Sequence, residues 1–450
     1  MTAPLDSARH LLARLAPPGS RVVVATSGGP DSQALLALIG AERAALGLDG
    51  VWACGVDHGL RPEASLELAL ARTLAEQVGV TFTSRRVDVA RTGNLLATAR
   101  RARYAALEAF ADEVQADRIA VAHTASDQIE SILLNLARGA GLRGAGGIRM
   151  KRGRIIRPLI KTSRDEILLF IERSHIPFAT DPSNRDLRRA RALIRHQVVP
   201  LLRQLNPGLE TAFGRFSEAA QHDESLLAHL AEQDLAERLG PLDSLDVSGL
   251  SARPAPLAFR VLRAWLKLHG LNANRDALVR LFAVATHRAR SISLDGHTIG
   301  AEHRRLWIAP DTPFDVSLKV PGRVEIPAFN LAIVAELREA GAATWADGGR
   351  CASSEVAFTS ECPHLGFRVR SWRKGDRMQP FGMDGHVKVG DLFTNAKVPR
   401  ALRGTWPMVV RDDEILWVVG LRRAASLPLG ETVRQAVVVR VDGALPWQPC

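Results

Sequence analysis

One short segment constrains the fold of this chain more than any other: an apolar strand that runs straight into a glycine-rich turn and then into a helix. The run Val22 to Ala25 has the β-branched character of a buried strand, and a helical pattern begins at Gln33. Glycines let a backbone approach an anion closely, and a helix N-terminus offers unpaired N–H groups. The segment therefore predicts a phosphate-binding turn formed by Ser27, Gly28, Gly29, Pro30, Asp31 and Ser32.

Two other interpretations of glycine-rich segments remain to be weighed. The turn is not a Walker loop, because no Gly-Lys-Ser or Gly-Lys-Thr occurs in the chain. It could be an ordinary strand-turn-helix with Asp31 or Ser32 as the N-cap. A second glycine segment, Gly139 to Gly144, matches the dinucleotide pattern Gly-x-Gly-x-x-Gly, but it follows a predicted helix instead of a strand and is interpreted as a loop.

The alternation of strands and helices predicts the domain organisation. Over the first 200 residues short apolar strands alternate with helices, which is typical of a parallel sheet covered on both faces; helices follow, and the last third is mainly β. We expect a multidomain α/β protein with an N-terminal parallel-sheet domain, a helical middle domain and a β-rich C-terminal domain. The predicted segments are 1–205, 206–310, a β-rich connection at 311–366, and 367–450.

Charge and cysteine content indicate the class of partner and the compartment. The 450 residues carry a net charge of +11, which favours a polyanionic partner such as RNA. The segment from Arg138 to Arg203 holds sixteen basic and five acidic residues, so its excess of eleven equals the net charge of the whole chain and the rest is nearly neutral. No apolar run approaches the length of a membrane span, the first twenty residues lack the pattern of a signal peptide, and the four cysteines form no pair. We expect a cytoplasmic protein with free thiols and no membrane partner.

A second basic stretch extends from Arg368 to Arg423. Trp372, Phe381 and Trp406 are interleaved with its charges, a pattern that suits another RNA surface. The alternative is that these aromatic residues are the core of a β domain.

Histidines and acids follow two further strands. Asp57-His58-Gly59-Leu60-Arg61 ends the second strand, and His123 ends a later one. Ligands of open parallel sheets bind at the carboxyl ends of the strands, so Asp57, His58 and His123 are candidates for the site. A lone histidine is more often a hydrogen-bonded structural residue, and that alternative stays open for both.

Two acids open the helix after His123. Asp127 and Glu130 are three residues apart and should share one helical face, while Ile129, Leu133 and Leu136 should face inward. Paired carboxylates beside a nucleotide could hold a cationic amine before it loses a proton and attacks. The alternative is structural: Thr124 and Asp127 as a capping box, with Glu130 in the favourable first turn.

Taken in order, these motifs resemble a known family. The turn is similar to the PP-loop of the ATP pyrophosphatase superfamily, which has an adenine nucleotide alpha hydrolase-like fold. The full set resembles the tRNA(Ile)-lysidine synthetase family over residues 21 to 205 and again in the C-terminal domain. The motifs that carry the resemblance are the turn itself, Asp57 to Arg61, Arg100 to Tyr104, His123 to Glu130, Arg157-Pro158-Leu159, Asp181 to Asn184, Trp372 to Arg377, Val389 to Phe393 and Lys397 to Arg400.

The resemblance implies a two-step ligation that uses ATP and Mg²⁺. The C2 carbonyl oxygen of the wobble cytidine in an isoleucine tRNA with a CAU anticodon is adenylated, and L-lysine then displaces AMP to give lysidine. It implies Asp31, His123, Asp127 and Glu130 as catalytic residues. The nucleotide is assigned to Ser27–Ser32, Asp57 and His58, the Mg²⁺ to Asp31, and the substrates to Arg100, Arg103, Asp127, Glu130, Arg191 and Arg195.

Three positions depart from the family pattern, and three other functions remain open. Ala192, Leu96 and Asp57 stand where asparagine, glutamate and asparagine are common, which affects the expected lysine and tRNA contacts but not the fold. A PP-loop tRNA thiolase would use a cysteine pair near the loop, and an amidating synthetase would use a glutaminase nucleophile; neither is evident. A non-catalytic RNA-binding protein is the third alternative. The oligomeric state is left open, with a homodimer among the options.

Overall fold

A computed structural model describes residues 5–59, 64–88, 95–180, 186–310, 312–339, 354–360, 366–429 and 435–445. The chain divides into two compact units, Met1–Leu226 and Leu227–Cys450. Several residues of the predicted motifs lie outside the described residues: Leu60, Arg61, Asp181 to Asn184, Cys351, Cys362 and Cys450.

The first unit is built on one six-stranded sheet in the order β3-β2-β1-β4-β6-β5. Its strands are β1 (Arg21–Thr26), β2 (Gly50–Asp57), β3 (Thr81–Arg86), β4 (Arg118–Ala120), β5 (Lys151–Arg152) and β6 (Ile155–Ile156). Its helices are α1 (Asp6–Leu15), α2 (Pro30–Glu42), α3 (Ala64–Gln77), α4 (Leu95–Glu113), α5 (Ala125–Ala137), α6 (Leu142–Ala145), α7 (Arg164–Arg173), α8 (Ala190–Leu193) and α9 (Val199–Leu205); α10 (Leu209–Arg238) follows.

All strands of this sheet except β5 pair in parallel. Strand β1 is central, and Val22, Val23 and Val24 are fully buried because helices cover both faces. Val22 and Val24 belong to one core and Val23 to another on the opposite face. The carboxyl ends of β1, β2 and β4 therefore meet at one edge, which brings the residues that follow them together.

The second unit combines helices with antiparallel sheets. Its helices are α11 (Ala255–Leu268), α12 (Arg275–Ala285), α13 (Val389–Asn395) and α14 (Arg400–Arg403). Its strands are β7 (Leu245–Asp246), β8 (Ser291–Leu294), β9 (His297–Glu302), β10 (Arg305–Ile308), β11 (Asp315–Leu318), β12 (Gly322–Ile326), β13 (Leu331–Glu339), β14 (Glu355–Thr359), β15 (Phe367–Ser371), β16 (Arg377–Met378), β17 (Val387–Lys388), β18 (Pro407–Arg411), β19 (Glu414–Val418), β20 (Arg422–Arg423) and β21 (Gln435–Asp442).

Four sheets form from these strands, in the orders β7-β10-β9-β8, β11-β15-β18-β19-β20, β12-β13-β21-β14 and β16-β17. Helices α11 and α12 pack on the first sheet around Trp265. The predicted fold class, with a parallel-sheet domain, a helical middle region and a β-rich C-terminal region, is confirmed. The four segment boundaries remain predictions.

The exposure of Leu136 and of Trp406 bears on two predictions made from the sequence. Leu136 was expected to face inward but is 46% exposed, because it lies in the last turn of α5, beyond the core cluster that buries Ile129 and contacts Leu133. In the C-terminal region Trp406 is fully buried, which favours the core interpretation of that residue over RNA stacking. Among the described residues, no helix is both long and apolar enough to span a bilayer.

Candidate active site

The glycine-rich turn lies at the carboxyl end of β1, and its own hydroxyl groups shape it. The Ser27 N–H donates to Ser32 Oγ at 3.1 Å, and Ser32 Oγ donates to the Gly29 carbonyl at 2.9 Å. Helix α2 begins at Pro30, three residues earlier than predicted, with Gly29 as N-cap and no side-chain cap. The alternative of Asp31 or Ser32 as an N-cap is therefore wrong, and the first turn of α2 keeps backbone N–H groups for a ligand.

Gly28 is required at its position for two separate reasons. Its φ of +76° lies in the left-handed region, which favours glycine. A Cβ atom there would also lie 2.1 Å from the Glu67 carbonyl oxygen of α3. The turn is therefore packed directly against a neighbouring helix, which fixes its shape before any ligand binds.

Helix α5 starts at the same sheet edge with a capping box. Thr124 Oγ1 accepts from the Asp127 N–H at 3.3 Å, and Asp127 Oδ2 accepts from the Thr124 N–H at 2.9 Å. The structural interpretation of Thr124 and Asp127 is thus confirmed. Because one carboxylate oxygen serves the cap, Oδ1 is left for other partners.

Two arginines hold the acids of α5. Arg191 Nη2 donates to Asp127 Oδ1 at 3.0 Å, and Arg191 Nε donates to Glu130 Oε2 at 2.8 Å. Arg195 donates to both oxygens of Glu130 through Nε and Nη2. Glu130 is only 1% exposed, so its charge needs these partners. Asp127 and Glu130 do share one face of α5, as predicted, and in this structure that face is occupied by guanidinium groups.

A π-helical turn carries these arginines. Residues Ile194–Val198 form π-helix between α8 and α9, and Pro200 follows in the first turn of α9. Because proline has no N–H, it cannot continue the α-helical bonding pattern, and the wider turn accommodates this. Ala192, one of the departures from the family pattern, is buried here.

Asp31 lies in the first turn of α2 and has an unsatisfied carboxylate. Its Oδ1 is buried and has no hydrogen-bond partner among the residues that the structure describes. Burial raises the pKa of Asp31 to about 6, with the charge of Asp127 adding to the effect and those of Arg164 and Arg195 opposing it. The three acids of the site therefore interact electrostatically, and within the described part of the chain Asp31 forms no ion pair.

His123 follows β4 and is 8% exposed. Its Nδ1 lies 3.1 Å from Nε of Arg157, which is itself buried and donates through Nη1 to the Arg149 carbonyl at 2.7 Å. Burial lowers the pKa of His123 to about 3; the charge of Asp127 opposes this shift, while Arg157, Arg100 and Arg103 add to it. His123 is therefore neutral at physiological pH.

A second group of cations surrounds Tyr104 on α4. Arg100 and Arg103 place their guanidinium carbons 5.1 and 5.6 Å from the centre of the Tyr104 ring. Burial lowers the pKa of His58, and the charge of Arg103 lowers it further. Its Nδ1 is buried, and no described residue forms a hydrogen bond with it. Asp57 Oδ1 accepts from the Gly59 N–H at 2.8 Å and so shapes the turn after β2.

The donor set can be tested against Mg²⁺. Among the described residues no group of three or more potential ligands is arranged to hold a metal ion alone. Mg²⁺ in nucleotide sites is usually held by one or two carboxylates together with phosphate oxygens. The unpartnered Oδ1 of Asp31 beside the phosphate turn fits that requirement.

Many basic side chains of the segment from Arg138 to Arg203 are engaged in ion pairs, so fewer are available to RNA than the composition indicates. Among its basic side chains that the structure describes, seven form ion pairs with acids: Arg154, Lys161, Arg188, Arg189, Arg191, Arg195 and Arg203. Several of these acids, such as Asp112, lie far away in sequence. Arg138, Arg143, Arg149, Lys151, Arg152 and Arg173 are exposed, and no ion pair is found for them within the part of the chain that the structure describes. These six side chains are the better candidates for an RNA-facing surface.

Two residues of this site were not predicted individually. Arg164, at the start of α7, lowers the pKa of Asp31, and Arg157 bonds His123. Ser163 and Glu166 form a capping box that could have marked Arg164 as a residue of a helix N-terminus. Nothing in the local sequence indicates that Arg157 would meet His123.

Comparison with known proteins identifies the family. The PP-loop domain model matches residues 5–202, and the model of the TilS substrate C-terminal domain matches residues 367–437. A tRNA(Ile)-lysidine synthase of Geobacter sulfurreducens is 33% identical, over 95% of this chain and 94% of its own. The chain belongs to the tRNA(Ile)-lysidine synthase family. A member from Geobacillus kaustophilus is 32% identical, over 94% of this chain and 95% of its own. The lysidine synthase match spans both compact units, so it covers the turn, the acids of α5 and the C-terminal sheets together.

Proposed function

We propose that this chain is an ATP-dependent carbon–nitrogen ligase that joins L-lysine to C2 of the wobble cytidine of an isoleucine tRNA with a CAU anticodon. The observation that carries the proposal is the juxtaposition of the phosphate turn with the acid and arginine groups of α5 and α8 at one sheet edge. Family membership over the whole chain supports the same reaction.

In the first step the C2 carbonyl oxygen attacks the α-phosphorus of ATP, and pyrophosphate leaves. The backbone N–H groups of the turn and the start of α2 would bind the phosphates, and Arg191 and Arg195 are close enough to the acids of the site to reach the nucleotide by exchanging partners. Bound Mg²⁺ would be held by Asp31 and neutralise phosphate charge.

In the second step the ε-amine of lysine attacks C2, and AMP departs with the former carbonyl oxygen. Asp127 and Glu130 would bind the ammonium group before it loses its proton. Since Arg191 and Arg195 occupy those carboxylates in this structure, we propose that the two guanidinium groups transfer to the phosphates of ATP and free the acids for lysine.

The alternatives are less well supported. A tRNA thiolase would use reactive cysteines beside the loop, and Cys54, the free cysteine among the described residues, is buried in β2 with its thiol pKa raised by burial to about 11. A non-catalytic RNA-binding protein would not need the unpartnered Asp31 beside an intact phosphate turn.

A lysine-transfer assay tests the proposal. Purified protein is incubated with ATP, Mg²⁺, radiolabelled lysine and an isoleucine tRNA transcript with a CAU anticodon, and radioactivity in the RNA is measured. We expect one lysine per tRNA and stoichiometric AMP. The matched RNA control is a methionine tRNA with the same anticodon, which should stay unlabelled.

Protein variants supply the second control. Asp31→Asn removes the charge beside the turn and should abolish labelling, whereas Asp223→Asn changes an exposed carboxylate of α10 and should leave it intact. Incorporation of sulfur or ammonia in place of lysine would reject the ligase assignment.

A further inference from the structure

The contact between the buried side chains of His123 and Arg157 determines which nitrogen of His123 carries the proton. The Arg157 guanidinium has only N–H donors and stays charged in proteins. Its Nε lies 3.1 Å from His123 Nδ1, so Nδ1 must be the acceptor and carry no hydrogen. A neutral imidazole has its single proton on the other nitrogen, which makes His123 Nε2 a donor.

The surroundings keep this arrangement in place. Arg157 is 4% exposed, and its Nη1 is tied to the Arg149 carbonyl at 2.7 Å, so the guanidinium cannot turn away without losing both bonds. Three cationic groups face His123, namely Arg157, Arg100 and Arg103, and the opposing charge is Asp127. Protonation of the buried His123 would add a positive charge beside these three cations.

The remaining nitrogen is available to a ligand. No group among the described residues accepts a hydrogen bond from His123 Nε2. The backbone N–H of His123 donates to the Val121 carbonyl. His123 follows β4 at the sheet edge shared with the phosphate turn.

We propose that Arg157 is a positioning residue that fixes His123 as the Nε2–H tautomer, so that His123 donates a hydrogen bond to an anionic oxygen of the substrate and does not serve as the base that deprotonates lysine. The role toward substrate rests on the proposed function; the tautomer does not. Proton removal then falls to the carboxylates of the site.

Nitrogen NMR measures the tautomer directly. Protein labelled with ¹⁵N-histidine is observed by long-range ¹H–¹⁵N correlation, and the His123 signals are assigned from their loss in His123→Gln. We expect an unprotonated Nδ1 and a protonated Nε2 whose shifts do not change between pH 5 and 8. Free imidazole in the same tube reports the pH. Either a protonated Nδ1 or titration of His123 between pH 5 and 8 would overturn the proposal, and the wild-type protein is sufficient for this test.

Variants at position 157 test the cause. Arg157→Leu removes the donor and should give a mixture of tautomers and titration of His123 above pH 5, whereas Arg157→Lys keeps a cationic donor and should retain the wild-type pattern. Arg154→Leu is the matched control, because Arg154 lies on the same hairpin but pairs with Glu108 and Asp112. A wild-type His123 pattern in folded Arg157→Leu refutes the positioning role.

Kinetics connect the tautomer to the reaction. We expect Arg157→Leu to lower kcat for lysine transfer about 10²-fold, the typical effect of losing one charge-stabilising donor, and to add an acid limb to the pH profile that Arg157→Lys lacks. If lysine transfer fails in the wild type while the NMR pattern holds, the proposed function is rejected and the tautomer assignment stands.

Discussion

The ionisation of Asp31 affects the stability of the folded protein. Its folded-state pKa of about 6 lies above its ordinary value of 3.8, so the folded protein binds the carboxyl proton more tightly than the unfolded chain does. The ionised form is therefore unfavourable in the fold, and this penalty is absent below about pH 4 and complete above about pH 6.

Asp31→Asn should consequently stabilise the nucleotide-free, metal-free protein at high pH. We expect a gain of about 3 kcal/mol in the free energy of unfolding at pH 8, which shrinks as the pH falls through 6 and vanishes near 4. Urea titrations across that range measure it. Asp223→Asn, at an exposed position, is the control and should show no such pH-dependent gain; an equal gain at every pH for Asp31→Asn would contradict the assignment.

Substitutions of Asp31 and of Glu130 should impair different steps of the reaction. Asp31→Ala should abolish tRNA-dependent release of pyrophosphate, because it removes the carboxylate beside the phosphate turn. Glu130→Ala should retain part of that release and should chiefly raise the KM for lysine, by about tenfold or more. Separate assays of pyrophosphate and of labelled lysine resolve the two steps, and equal loss of both steps in both variants would argue against this division.

Individual residues could be predicted from the sequence where a motif names them. Ser27 to Ser32, His123, Asp127 and Glu130 all lie at one sheet edge as the motifs indicated. Their partners could not be predicted, because Arg157 and Arg164 reach the site through the folding of distant segments. The pairing of Asp127 and Glu130 with Arg191 and Arg195 likewise depends on tertiary structure, and the roles of all these residues in catalysis remain predictions.

At the scale of elements, the β1–turn–α2 unit is fixed by contact with α3. The strands and helices of the first unit follow the predicted order because buried strands such as β1 and long amphipathic helices have clear patterns. The start of α2 and the π-helical turn before α9 were not predicted, since each depends on local backbone geometry that apolar spacing does not encode.

Gly28→Ala should destabilise the protein through this contact. The new Cβ would meet the Glu67 carbonyl in a backbone conformation that alanine disfavours, and we expect a loss of about 2 to 3 kcal/mol in the free energy of unfolding. Gly29→Ala is the matched control, because its added Cβ has only one contact, at 3.7 Å, and its φ is negative. Chemical denaturation compares the two, and similar losses would contradict the packing argument.

The ion pairs between α5 and the α8–α9 segment predict an order of binding. Lysine should bind at least tenfold more tightly when a non-hydrolysable ATP analogue is present, because the phosphates withdraw Arg191 and Arg195 from the acids. Calorimetric titration with and without the analogue measures this difference.

Arg195→Ala should reduce that dependence by leaving Glu130 with one fewer partner. Arg188→Ala is the control, since Arg188 is exposed and pairs with Asp186. The same lysine affinity with and without nucleotide in the wild-type protein would rule out the exchange.

At the scale of the whole molecule, many of the cations that contribute to the net charge of +11 are held in ion pairs with acids of the same chain. In the C-terminal region Arg370 and Arg423 are buried, and Arg370 pairs with Asp376. These two arginines serve the packing of the β sheets. The exposed cations among the described residues of that region are Arg368, Arg373, Lys374, Arg377, Lys388, Lys397 and Arg400, so composition overstated the surface available for RNA.

Lys374→Glu should therefore weaken tRNA binding by about three- to tenfold at low salt and flatten the salt dependence. Lys374 is exposed in the region matched by the TilS substrate C-terminal domain model. Lys319→Glu makes the same charge change at an exposed position outside that region and should have a smaller effect. Filter binding at several salt concentrations distinguishes them, and equal effects would mean that only net charge matters.

The balanced charges around α5 have a chemical consequence of their own. Asp31, Asp127 and Glu130 face Arg164, Arg191 and Arg195, so three acids and three cations balance one another at this site. When a polyanion and a cation bind together, the polyanion can pair with the arginines and the cation with the acids. Either ligand alone would leave the side chains of the other charge without partners. Such a site favours the simultaneous binding of two ligands of opposite charge.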